Sequence, residues 1–143
     1  AEMVERLVNP PIAFGANCGV GASDLMRTVL GFAATGTERP IIAKGNAGIP
    51  KYHDGHIHYD GTPELMAEYA VMARDAGVRI IGGCCGTMPE HLRAMRVALE
   101  SRPKGNRPSL EAIQGKLGGF SSASDGTGDD AGAGRRERRG RRG

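Results

Sequence analysis

The chain has 143 residues and a net charge of +3, with 39% hydrophobic and 24% charged residues, enough for one domain with a core but not for two. No apolar run reaches the roughly 18 residues of a spanning helix, and the opening AEMVERLVNPP lacks a basic stretch followed by an apolar one, so neither a membrane span nor an export signal is expected. The positive charge is local: RRERRGRRG at 135–143 carries +5, which leaves −2 on the other 134 residues and no basic footprint for nucleic acid on the body.

Three apolar runs rich in Ile and Val, at 10–17, 40–47 and 78–84, each precede a segment of helical periodicity. The first helix is predicted from Ser23 to Thr35, with Leu25, Val29 and Phe32 on one face and Gly36 as its stop. The second has Thr62 as N-cap, Pro63 at its first position, Leu65, Tyr69, Met72 and Ala76 at core spacing, and Gly77 at its end. The third opens on a capping box from Thr87 to Glu90, buries Leu92, Met95 and Leu99, and is closed by Pro103. A further short helix is predicted over Leu110 to Leu117. Residues 118–143, rich in Gly, Ser and Asp and ending in the Arg cluster, read as a disordered tail after a domain at 1–117. The 23 glycines, against about 10 at average usage, fit tight turns together with such a tail.

Strands alternating with helices imply parallel pairing in an α/β fold. Each strand runs into a polar, glycine-bearing turn, FGANCGVG, AKGNAGIP and GGCCGT, so chemistry collects at the carboxyl ends of the strands, where such folds bind ligands. A closed barrel needs eight units and roughly 250 residues, and only three are present here.

All three cysteines, Cys18, Cys84 and Cys85, fall in those turns, which lie on one edge of a parallel sheet, so residues 66 positions apart can converge. Three thiolates with an open fourth position suit a catalytic Zn²⁺ site, and Gly82, Gly83 and Gly86 let two adjacent side chains aim at one point. Buried core cysteines and a redox-active vicinal pair are the competing readings. Three cysteines are too few and too odd in number for a disulfide framework, which points to a reducing, cytoplasmic setting. His53, His56 and His58, in a glycine-containing loop with Asp54 and Asp60, read as solvated rather than as a second metal site, and His91 as a surface or capping residue. The spacing of Gly15, Gly19 and Gly21 fits no nucleotide-binding loop.

GANCGVG, KGNAGIP and GGCCGTMPEHLRAM, taken together from about Pro10 to Leu99, resemble the carboxyl-terminal part of the homocysteine S-methyltransferase family. The nearest likeness is to bacterial betaine-dependent members and to the homocysteine-binding module of cobalamin-dependent methionine synthases. The resemblance implies a (β/α)₈ barrel of which the present strands are the last three. It also implies that Cys18, Cys84 and Cys85 hold Zn²⁺, the fourth position going to the homocysteine sulfur. Coordination would deprotonate that thiol for attack on a methyl donor, yielding methionine.

Betaine is the expected donor, with S-methylmethionine and methylcobalamin as alternatives. Asn46 and Gly48 are expected to face the substrate in a supporting role, beside simple turn formation. The family's ligands for the homocysteine amino and carboxylate groups lie on earlier strands with no counterpart here, so the chain reads as a fragment. It is expected to be inactive alone and prone to self-association through open sheet edges. A non-catalytic zinc-binding fragment whose Arg tail contacts RNA is the reading of a different class.

Overall fold

A computed structural model describes residues 1–19 and 21–122. In chain order the elements are α1 (Glu2–Glu5), β1 (Phe14–Asn17), α2 (Ala22–Ala34), β2 (Ile41–Gly45), β3 (Pro50–His53), β4 (His56–Tyr59), α3 (Pro63–Asp75), β5 (Ile80–Gly83), α4 (Pro89–Ser101) and α5 (Leu110–Leu117). β1, β2 and β5 form a parallel sheet with β2 in the middle, as the alternation of strand and helix requires, while β3 and β4 form a separate antiparallel hairpin. No helix among the described residues is long and apolar enough to cross a membrane.

α3 starts where Thr62 Oγ1 accepts the Leu65 N–H at 3.2 Å, with Pro63 at its first position, where a missing N–H costs nothing. Its inner stripe of Met66, Tyr69, Ala70 and Ala73 is buried against the helix-facing side of β2, Ile41 and Ala43, and against Leu25, Met26 and Val29 of α2. Tyr69 is fully buried because both capacities of its hydroxyl are used: it accepts the Gly45 N–H at 3.1 Å and donates to the Gly82 carbonyl at 3.4 Å. One phenol thus fastens α3 to the carboxyl ends of both β2 and β5, and burial pushes its pKa up.

The start of α4 differs from expectation. Its N-cap is Met88, not Thr87, and the third helical residue, His91, takes the role expected of Glu90 by accepting the Met88 N–H on Nδ1 at 2.9 Å. With the helix set this way, His91, Met95 and Ala98 form the buried stripe, and Leu92 is turned 50% into the open. The Thr87 hydroxyl, displaced from capping, is buried without a hydrogen-bond partner among the described residues.

α5 forms as predicted, capped by Ser109, and packs Ile113 and Leu117 into the core against α2 and α3. Contacts continue beyond it. Ser23 Oγ donates to the Gly119 carbonyl at 3.2 Å, the Arg27 guanidinium lies over the Phe120 ring at 4.5 Å, and the Ser121 N–H donates to Asp24 at 3.2 Å. Residues 118–122 therefore lie along α2, although the tail was expected to begin at 118. The rest of that tail, 123–143, falls outside the described residues.

The histidine loop also differs from expectation, forming a hairpin. Asp54 and Gly55, at φ +50° and +80°, make a two-residue turn between β3 and β4, the backbone that Asp-Gly hairpins favour. His53, His56 and His58 stand exposed on this hairpin.

Candidate metal centre

The turns after β1 and β5 bring the three cysteines to the carboxyl edge of the sheet, on either side of the turn after β2. The Cys18 N–H donates to the Lys44 carbonyl at 2.9 Å, and the Cys84 N–H donates to the Gly45 carbonyl at 2.8 Å. Both turns are thus extensions of the ladders that β2 makes with its neighbours. Cys18 sits at φ +61°, a conformation that costs a side-chain-bearing residue energy.

Asn46, 1% exposed, joins the two turns. Its Oδ1 accepts the Cys85 N–H at 3.2 Å and its Nδ2 donates to the Gly19 carbonyl at 3.0 Å, while the Ala47 N–H returns a bond to the Cys85 carbonyl at 2.9 Å. Gly48, at φ +88°, lets the chain double back behind Asn46. A Cβ there would come within 2.4 Å of the Gly61 nitrogen, at the point where Gly61 N–H bonds the Ala47 carbonyl at 2.8 Å. His91 closes the same corner through Nε2, 2.9 Å from the Gly61 carbonyl. Because its Nδ1 accepts from Met88, the ring's proton is on Nε2 and is donated to Gly61.

The three sulfurs lie within 4.8 Å of one another, Cys18 to Cys85 at 3.7 Å and Cys84 to Cys85 at 3.9 Å. All three residues are half-buried free cysteines, and among the described residues no other set of His, Cys, Asp or Glu side chains is gathered closely enough to hold a metal ion. Thiolates placed tetrahedrally at about 2.3 Å from a zinc ion stand about 3.8 Å apart, close to the Cys18–Cys85 and Cys84–Cys85 separations. Three thiol donors gathered this closely suit a zinc ion.

The thiols do not ionise alike. Hydrogen bonding from Cys85, then from the Gly19 backbone and from Cys84, holds the Cys18 pKa below that of an ordinary thiol. Cys85 is pushed up by the same bond to Cys18, and Tyr59 works against that rise by donating its phenolic proton to Cys85, which raises the Tyr59 pKa in turn. Tyr59 ends β4, and its ring rests on Gly86, where at φ +73° a Cβ would lie 2.4 Å from the ring's Cγ. The hairpin thus delivers a hydrogen-bond donor to the thiol cluster. Tyr59 and the bracing His91 were not singled out as site residues from the sequence; the Asp54-Gly55 dipeptide, which turns the chain back toward Cys85, was the available signal.

A larger hollow, about 780 Å³, lies beyond the amino end of β2 between Glu5, Ile12, Thr37 and Arg39. It holds an ion pair of Arg39 with Glu5 at 2.8 Å and none of the cysteines.

The protein is thus an α/β protein whose parallel sheet carries, on its carboxyl edge, a cluster of three thiols that could hold a metal ion. The family model for homocysteine S-methyltransferase matches residues 1–99, a span that contains every residue of the cluster, and the chain belongs to that family.

Proposed function

We propose that the chain supplies the zinc-binding and thiol-activating part of a methyltransferase that converts homocysteine to methionine, with betaine as the donor. The observation that carries this reading is the set of three sulfurs gathered within 4.8 Å of one another on the carboxyl edge of a parallel sheet. When bound there by Cys18, Cys84 and Cys85, Zn²⁺ would keep the acceptor thiol deprotonated at neutral pH and three anionic ligands would leave its sulfur nucleophilic. Methyl transfer then forms an S–C bond from the sulfur lone pair and breaks the donor's N–C bond, whose electron pair leaves with a tertiary amine.

The remaining residues act by holding this geometry. Asn46 fixes both cysteine turns through one amide, Gly48 allows the backbone path that puts the amide there, and Tyr59 donates to Cys85. The sheet is the last portion of a (β/α)₈ barrel. Its helix-free face, with Gly15, Asn17, Ile42, Lys44, Ile80 and Gly82, becomes part of the barrel interior.

Zinc content by atomic absorption, measured with homocysteine-dependent methylation on the same samples of the full-length protein, tests the reading. Stoichiometric zinc and betaine-dependent methionine formation are expected. Formation of a Cys84–Cys85 disulfide in place of metal uptake would support the vicinal redox pair instead.

A further inference from the structure

The two cysteine turns are not anchored equally. The turn of Cys84 and Cys85 is tied along its own backbone: Cys84 N–H to Gly45, Cys85 N–H to Asn46, the Cys85 carbonyl to Ala47, and Thr87 N–H back to the Cys84 carbonyl at 3.2 Å. The Cys18 turn has two such bonds among the described residues, Cys18 N–H to Lys44 and the Gly19 carbonyl to Asn46, both at its β1 end. Past Gly19 it enters α2 through Gly21, an N-cap with no side chain to hold the helix start. A residue at positive φ persists only where its surroundings over-determine it. The φ of +61° at Cys18 therefore depends on how firmly the first turn of α2 is seated.

That first turn is held from outside by the segment after α5. Within four consecutive residues, the Gly119 carbonyl accepts from Ser23 Oγ, the Phe120 ring covers the Arg27 guanidinium, the Ser121 N–H reaches both carboxylate oxygens of Asp24 at 3.2 Å, and the Ser122 carbonyl accepts from Arg27 at 3.0 Å. Ser23 is 2% exposed, and the Asp24 and Arg27 side chains, paired with each other at 3.2 Å, are each 14% exposed. An ion pair open to water orders little, whereas one covered in this way and hydrogen-bonded to backbone is fixed in one geometry. Leu25 and Met26 of the same turn are buried in the core, so it is gripped on both faces. The strap lies outside the family span of 1–99 and is not one of the βα units of the sheet.

We propose that residues 119–122 are a positioning strap for the metal centre: by seating the first turn of α2 they hold the Cys18 thiol at the distance from Cys85 that a shared metal requires. This rests on the zinc site proposed above. The strap touches neither metal nor substrate and acts through the helix.

The test compares the full-length protein with three strap variants. Phe120→Ala removes the ring over Arg27, Phe120→Ala with Ser121→Pro also removes the N–H that Asp24 accepts, and Phe120→Trp keeps a ring in place. Ile113→Val, which trims the buried face of α5, is the control for lost stability alone. Zinc affinity is read by chelator competition, and residue-resolved amide exchange is read on the metal-free proteins. The double variant should bind zinc about tenfold more weakly, the lower end for groups that orient ligands. Phe120→Ala should lose less, and Phe120→Trp and Ile113→Val should match the parent. Exchange in the double variant should quicken at Cys18 and in the first turn of α2 and stay at the parent rate at Cys84 and Cys85.

Parent-level zinc affinity in the double variant overturns the proposal, as does faster exchange confined to α2 that leaves Cys18 at the parent rate. So does an equal loss of zinc affinity in Ile113→Val, which would make the strap a source of stability only. Phe120→Ala keeps the backbone bonds of the strap, so it decides if the double variant fails to fold. A parent protein that takes up no zinc overturns the metal site itself, and exchange at Cys18, measured without metal, still decides whether the strap positions it.

Discussion

The two cysteine turns reach the same point by opposite means. The first places one thiol by forcing Cys18 itself into the left-handed region, in an open loop where a Cβ on Gly19 would meet nothing within 4 Å. The second places two adjacent thiols by giving the left-handed position to Gly86 and roofing it with the Tyr59 ring. Strain is therefore carried by the ligand residue in one turn and avoided by a glycine in the other. What the turns share is their attachment: each is hydrogen-bonded to β2 and its following residue, and Asn46 spans them. The site's rigidity comes from the middle strand, not from either loop.

The largest effect should come from the ligands. Cys18→Ser, Cys84→Ser and Cys85→Ser should each remove nearly all bound zinc and homocysteine methylation, since three protein ligands leave no spare and a hydroxyl binds Zn²⁺ far more weakly than a thiolate. Circular dichroism should stay at the parent level, because the core of Met26, Val29, Met66 and Tyr69 is independent of the metal. A Cys18→Ser protein with full zinc would show that the strained turn is dispensable and would break the comparison.

Asn46→Ala comes next, because it releases both turns at once. It leaves the Cys85 N–H and the Gly19 carbonyl without their partners, at a cost of about 1–3 kcal/mol of stability, and it should weaken zinc about 10- to 100-fold, as loss of a residue that orients ligands does. Asn46→Asp separates the turns: it keeps an acceptor for Cys85 but loses the donor to Gly19 and adds negative charge beside thiolates. Chelator competition should rank the zinc affinities as parent, then Asp, then Ala if the Cys85 bond dominates. The order parent, Ala, Asp would show that charge does.

A smaller effect contrasts the turns directly. Gly19→Ala, at φ +84° in open space, should cost only the left-handed penalty of about 1–2 kcal/mol. Gly86→Ala pays the same penalty and also pushes against the Tyr59 ring 2.4 Å away, so its melting temperature should fall further. Equal losses would mean that the hairpin gives way freely and that Tyr59 does not roof the second turn.

The parallel order of the strands, the capping of α3 by Thr62 and the convergence of Cys18 with Cys84 and Cys85 were legible because each follows from a local rule: apolar period, cap chemistry, or the common edge of parallel strands. The hairpin was not. Its strands are short and bury little: Tyr52 and Ile57 alternate with polar residues and pair across the hairpin but are both exposed, so the short alternation and the Asp54-Gly55 turn were the signals. The start of α4 was misplaced because Thr87 and Glu90 satisfy the capping pattern in sequence, whereas the tertiary bond of His91 to Gly61 makes the histidine the better partner for the helix end. The bridging amide of Asn46 required knowing that Gly19 and Cys85 flank it in space.

The smallest effect, and the finest test of how the turns differ, is the pH at which each thiol ionises in the metal-free protein. Cys18, with its pKa held down by the Cys85 hydrogen bond, should become reactive toward an alkylating agent at lower pH than a free cysteine, and Cys85 at higher pH. In linkage terms, the stabilisation from ionised Cys18 is present above the unfolded thiol's pKa and is lost as pH falls through the lowered folded value. That from protonated Cys85 is present below the unfolded pKa and lost as pH rises through the raised one. Cys85→Ala should return the Cys18 midpoint upward, and Cys18→Ala should bring that of Cys85 down. Tyr59→Phe should raise the Cys85 midpoint further by removing its donor and leave the Cys18 midpoint nearly in place. Peptide mapping after alkylation across a pH series reads all three. Identical profiles for Cys18 and Cys85 would mean that the sulfurs do not share a proton and that the two turns, though built differently, present equivalent thiols.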